Sequence, residues 1–174
     1  PKNHSLWAIS TEADAQGKRE ARQLFEAPYH ITGFDWSPDS RSIAFQHQAA
    51  PEADHWTTAD ISEVDVESGK TKPIAATKAA ESDPAYSPDG RYLAYTATSE
   101  APRWAGDSRI VLLPRQGGAP HILPVTYDER PNVIGWSADS TRLFFTEARH
   151  TRTALYEMPV EGMPKLIYEP SKGT

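Results

Sequence analysis

Gly33-Phe34-Asp35-Trp36-Ser37-Pro38-Asp39-Ser40-Arg41-Ser42-Ile43-Ala44-Phe45 is a stretch that the chain writes three times. It returns as Asp83-Pro84-Ala85-Tyr86-Ser87-Pro88-Asp89-Gly90-Arg91-Tyr92-Leu93-Ala94-Tyr95, and again as Val133-Ile134-Gly135-Trp136-Ser137-Ala138-Asp139-Ser140-Thr141-Arg142-Leu143-Phe144-Phe145. Ser37, Ser87 and Ser137 stand 50 residues apart. A match of this quality at a constant period marks a repeat architecture. In each copy an aromatic residue (Trp36, Tyr86 or Trp136) ends a short strand and a four-residue polar turn follows. Proline in Ser87-Pro88-Asp89-Gly90 presets φ for the second position of a type I turn. Asp39, Asp89 and Asp139 can bond nearby backbone N–H groups, and Gly90 takes a positive φ without a Cβ clash. Each copy is therefore a β-hairpin; Ser40 and Ser140 stand where the second copy has glycine, and a positive φ there would store about 1 kcal/mol of strain in each.

Outward from the hairpins the spacing also repeats. Asp60 to Val66 alternates apolar and polar residues and runs into the turn Glu67-Ser68-Gly69-Lys70. Ile110 to Leu113 with Gln116-Gly117-Gly118, and Leu155 to Val160 with Glu161-Gly162, hold the same place in later units. A fourth strand is expected near Pro73–Ala75, His121–Leu123 and Lys165–Tyr168. Upstream, Ser5–Ser10 and Arg22–Phe25 read as only the last two strands of an earlier unit. The fold class is all-β, a β-propeller fragment of about three and a half four-stranded antiparallel blades with some fourteen strands. The units are a half blade at 1–30 and blades at 31–80, 81–130 and 131–174. A β-sandwich with coincidentally similar hairpins is the competing architecture. Helix competes only over Thr11–Ala27, where Gly17 and the match to other units favour a long hairpin loop.

Composition narrows the function. The chain has 174 residues, 15 prolines, 10 glycines and no cysteine, so disulfides and thiolate chemistry are excluded. Eighteen basic against 24 acidic residues, with no basic block, argue against nucleic acid. The longest apolar run stops at Pro114, too short for a membrane helix. No leader is evident, and Pro1 implies an N-terminus further upstream. A soluble protein is expected, with cytoplasm and periplasm both open.

The three hairpins resemble the WD40-like repeat known as PD40, found in the propellers of TolB and of prolyl oligopeptidase-type serine peptidases. Pro84–Tyr95, Asp107-Ser108-Arg109, Trp136–Thr146 and Leu155–Gly162 are similar to successive blades of acylaminoacyl-peptidase and dipeptidyl-peptidase-like enzymes. The resemblance implies a non-catalytic propeller that gates or positions peptide substrates for an α/β-hydrolase domain absent from this chain. A TolB-like protein-interaction propeller is the alternative. The implied partners are a peptide substrate or protein, the missing catalytic domain, and further copies of the chain associating through open blade ends.

Candidate chemistry is sparse. The nearest string to a nucleophile elbow, Gly135-Trp136-Ser137-Ala138-Asp139, lacks the final glycine and a following helix, so no catalytic residue is assigned. His47 and His55 near Glu52 and Asp54 match no metal-ligand spacing and read as a solvated loop; no metal and no cofactor is expected. Glu100 and Arg103, in the insertion Ser99–Asp107, are the substrate-contact candidates, because related propeller loops present glutamate to a substrate's amino terminus. The competing reading is a plain surface loop with Trp104 packed between blades.

Overall fold

The computed structural model describes residues 2–171; Pro1 and residues 172–174, which the first and last units were expected to include, lie outside the described residues. A two-stranded sheet, β1 (Trp7–Ile9) and β2 (Ala21–Gln23), comes first. Three four-stranded antiparallel meanders follow in chain order. The first holds β3 (His30–Trp36), β4 (Ser42–Gln48), β5 (Asp60–Asp65) and β6 (Thr71–Ala75). The second holds β7 (Glu81–Tyr86), β8 (Tyr92–Thr98), β9 (Ser108–Pro114) and β10 (His121–Ile122). The third holds β11 (Asn132–Trp136), β12 (Arg142–Arg149), β13 (Arg152–Pro159) and β14 (Lys165–Tyr168). Residues 11–20 form a loop between β1 and β2, not a helix. The sole departure from strand and loop among the described residues is a short 3-10 helix, Ala53–Thr58, which the sequence pattern does not signal.

The sheets stack face to face, so alternate residues of each strand point to opposite neighbours. Ile43, Phe45 and Val64 meet Leu6 and Leu24 of the two-stranded sheet. Ala44, Ile61 and Ala75 meet Leu93, Tyr95 and Val111 of the second meander. Ala94, Ile110 and Leu112 meet Leu143, Phe145, Tyr156 and Met158 of the third. Three separate seams thus replace a single core. Phe45 and Phe145 are fully buried, and truncating either to alanine would cost about 3–5 kcal/mol.

The first strand of each meander is innermost, with β7 packed against β3 on one side and β11 on the other. All three carry a β-bulge, between Ile31 and Gly33, Ser82 and Ala85, and Val133 and Gly135. Such bulges bend and twist a strand, here along the concave side of the stack. This is the architecture of a partial β-propeller.

Candidate functional site

The repeated turn is built around its serine. Ser37, Ser87 and Ser137 each donate Oγ–H to the aspartate two residues on, at 2.7, 2.7 and 2.6 Å. The same Oγ accepts the N–H of Ser42, Tyr92 or Arg142. Asp39, Asp89 and Asp139 then accept the N–H of Arg41, Arg91 and Thr141. Ser40, Gly90 and Ser140 lie at φ 59°, 71° and 59°, the left-handed conformation that the turn requires. These bonds hold the carboxylates ionised: Asp89 and Asp139 are lowered to about 2, by the Arg91 N–H and by the Ser137 hydroxyl foremost. The aspartates are turn fasteners. Ser137 is buried and wholly engaged in this network, with no helix after it, which leaves it no nucleophilic role.

Three residues at the repeat's 50-residue period, Phe34, Pro84 and Ile134, line the concave wall made by β3, β7 and β11. Phe34 and Ile134 are 58% and 56% exposed, whereas Pro84 between them is buried. The wall bounds an open groove of about 440 Å³ that also takes in Asp35, Asp83, Tyr86 and Trp136. Asp35 Oδ2 accepts the N–H of Tyr86 at 2.7 Å, and the Trp136 indole donates to the Ala85 carbonyl at 3.1 Å. These bonds tie the inner strands side by side. Asp83 stands at φ 56°; its carboxyl lies beside the Thr96 hydroxyl, and partial desolvation there pushes its pKa up. The groove offers apolar contact with acidic groups at its wall, a combination suited to an extended peptide.

The insertion Ser99–Asp107 projects from the β8–β9 end of the second sheet. Glu100 and Arg103 are both exposed, and neither makes a side-chain hydrogen bond or ion pair among the described residues. Nothing in the geometry brings them together or to the groove. A tight turn fixes the loop, with the Gly106 N–H on the Arg103 carbonyl at 2.9 Å. Trp104 is not packed between blades: it is 79% exposed, its ring meeting Trp56 of the 3-10 helix edge-on at 6.3 Å. The neighbouring β4–β5 loop is long enough to supply that partner, so the indole stays on the rim. Arg130 anchors the Trp104 carbonyl at 2.7 Å. His47 is likewise not a loop residue. It lies on β4, its ring stacked on Tyr29 at 4.0 Å and bonded to Ser62 Oγ, and burial lowers its pKa. His55 belongs to the 3-10 helix.

The sequence pattern does not reveal a polar cluster in the seam between the first two meanders. Glu63 on β5 is buried and receives the Tyr86 hydroxyl at 2.5 Å, the Lys72 ammonium at 2.8 Å, and the Arg115 guanidinium. Arg115 also lies over the Tyr86 ring, 5.5 Å from its centre. The available signal was Glu63 itself, a charge among inward-facing positions of a strand.

A family model described as the dipeptidyl peptidase IV N-terminal region matches residues 37–172. Dipeptidyl-peptidase 5 of Trichophyton equinum is 27% identical over 154 residues, covering 78% of this chain and 21% of the relative. The chain thus spans about a fifth of the length of that relative. Among solved structures, TolB from Acinetobacter baumannii superposes with a TM-score of 0.64 at 19% identity, covering 88% of this chain and 36% of that one. A puromycin-hydrolysing peptidase of Mycobacterium tuberculosis gives 0.64 at 15% identity, covering 96% and 31%.

Proposed function

Because the chain belongs to the family of the dipeptidyl peptidase IV N-terminal region, we propose that it is the non-catalytic propeller portion of a serine peptidase of the prolyl oligopeptidase type, positioning peptides for a catalytic domain carried elsewhere. The observation that supports this reading is the concave wall, where Phe34 and Ile134 stay exposed to a groove on either side of Pro84, their buried counterpart in the second repeat. Each of these two side chains, held exposed on an inner strand, forgoes burial worth about 1.5–3 kcal/mol. An extended peptide would cover these groups, while the width of the groove would exclude a folded domain. Glu100 and Arg103, exposed on the β8–β9 loop away from the groove, would be that loop's contacts to a substrate.

Titrating the chain with short unstructured peptides, followed by backbone and methyl chemical shifts, tests this. Shifts concentrated at Phe34, Ala85 and Ile134, and weakened by Phe34→Ser, are expected. Shifts confined to the loop rim, or binding of folded proteins alone, would overturn it. The second reading, a TolB-like interaction propeller, draws on one observation: the exposed Trp104 beside Trp56, an aromatic pair suited to a protein surface. In that case Trp104→Ala abolishes binding and Phe34→Ser does not. We also propose that copies of the chain associate through its open sheet faces.

A further inference from the structure

The outward face of the third meander repeats, with its glutamate and lysine in the same register, half of a socket that the first meander uses to hold its neighbour. In the first sheet the cross-strand row Ala44, Glu63 and Lys72 faces the second sheet. In the third, the row Phe144, Glu157 and Lys165 holds the same register. Inward-facing Leu143, Phe145, Tyr156 and Met158 are buried against the second sheet, so this alternate row points away from it. Glu157 lies 3.8 Å from the Lys165 ammonium, as Glu63 lies beside Lys72. Arg142, from its own sheet, stands 3.2 Å from Glu157 and supplies the cation that Arg115 brings to Glu63. What Glu157 lacks is the counterpart of the Tyr86 hydroxyl.

The intervening seam shows that this position discriminates. There the second sheet carries Leu112 in the row with Ala94 and His121. The motif aromatic facing it is Trp136, which packs on the Leu112 cluster and turns its N–H to a backbone carbonyl. Glutamate thus meets tyrosine, and leucine meets tryptophan. The chemistry is direct: a phenol O–H can reach across and satisfy a buried carboxylate, whereas an indole facing apolar neighbours needs none. A mismatch leaves either an under-satisfied carboxylate or an orphaned hydroxyl.

We propose that the Glu157 face is a docking surface for one further blade of the same repeat, one with tyrosine, not tryptophan, before its Ser-Pro-Asp turn. The residue at this position of the third strand acts as a key that fixes which repeat follows which. Partly exposed Phe144 and Leu155, with Tyr168 at the outer edge, supply the apolar contact around it.

The test extends the full chain with a copy of residues 81–130, joined so that the 50-residue spacing continues. Thermal unfolding and the methyl resonances of Leu155 are the readouts. The appended copy is expected to shift the Leu155 methyls and raise the melting temperature, and Glu157→Leu in the extended chain to lower it by about 4 °C. With Tyr86→Trp in the appended copy alone, Glu157→Leu is expected to raise the melting temperature instead. Glu157→Leu in the unextended chain controls for effects within the third sheet. An appended copy that leaves Leu155 unmoved overturns the docking surface. Equal effects of Glu157→Leu in both extended chains overturn the pairing rule.

Discussion

Tyr86 donates its hydroxyl to Glu63 Oε2 at 2.5 Å across the seam between the first two meanders. Burial, and then the Glu63 carboxylate, push the phenol's pKa up, so it stays a donor throughout the usable pH range. Glu63 has two cations as well, and this makes a buried carboxylate tolerable there. Tyr86→Phe keeps the ring under Arg115 and removes only the donor. The expected loss is about 1.5–3 kcal/mol, the usual worth of a hydrogen bond to a charged group. Urea unfolding should show a lower midpoint at unchanged slope. A loss below about 0.5 kcal/mol would mean that the cations alone satisfy Glu63.

Ser40 and Ser140 share a left-handed φ of 59° but not a fate. Ser40 makes no side-chain bond among the described residues, so Ser40→Gly only relieves the Cβ strain. It should stabilise by about 0.5–1 kcal/mol. Ser140 is buried, and its Oγ accepts the Asp89 N–H at 3.1 Å, linking the second and third turns. Ser140→Gly frees the backbone but strands that donor, and should be neutral or destabilising. Calorimetry on both variants separates the cases; equal gains would show that the bond to Asp89 contributes nothing.

The architecture was legible because its signals are local. Proline, aspartate and a left-handed residue at fixed offsets write each turn, and the 50-residue period counts the sheets without reference to contacts. The serine's role was not legible, since a hydroxyl between an aromatic residue and a proline looks like any turn filler until the aspartate and the backbone N–H five residues on converge on it. Glu63, Tyr86 and Arg115 are separated along the chain and meet only when sheets stack. Trp104 was misplaced for the same reason. Whether an indole in a loop enters a seam or stays on the rim depends on the neighbouring loop, here the 3-10 helix carrying Trp56. Glu100 and Arg103 were named from resemblance, and the geometry adds only that both are exposed.

Glu81 is a buried acid between the first two meanders. Its Oε1 accepts the Thr77 hydroxyl at 2.5 Å, its Oε2 has no partner among the described residues, and Asp60 stands close by. Burial pushes both carboxyls up. A raised folded-state pKa means that the native chain holds protons which the unfolded chain has released. These groups therefore cost stability at neutral pH, and the cost shrinks as pH falls toward the ordinary carboxylate range. His47, lowered by burial, acts oppositely, so the informative quantity is the difference between variant and parent. Glu81→Gln keeps an acceptor for Thr77 and removes the charge. It should stabilise at about pH 7 by on the order of 1 kcal/mol, with the gain fading toward about pH 5. A gain that persists unchanged at the lower pH would place the cost in packing, not charge.

Association through the open ends is the remaining expectation, and the two ends are not equivalent. On the two-stranded sheet Ala8 turns inward to the first seam, leaving Trp7 and Ile9 58% and 63% exposed on the other face. The opposite end carries Glu157, Arg142 and Lys165 among its apolar groups. The Trp7 indole N–H is already given to Ser5 Oγ at 3.0 Å, so pressing that ring on the charged row would bury ions without a free donor to meet them, which opposes head-to-tail stacking. The uncharged Trp7–Ile9 face can instead meet its own copy about a two-fold axis, a contact that closes after two chains. Light scattering after size exclusion at micromolar concentration should then give twice 19.3 kDa. Trp7→Ser combined with Ile9→Ser should return the mass to that of one chain, while Glu157→Gln should leave the dimer intact. A parent chain that elutes as a monomer would refute the association, and a dimer lost on Glu157→Gln would move it to the other face.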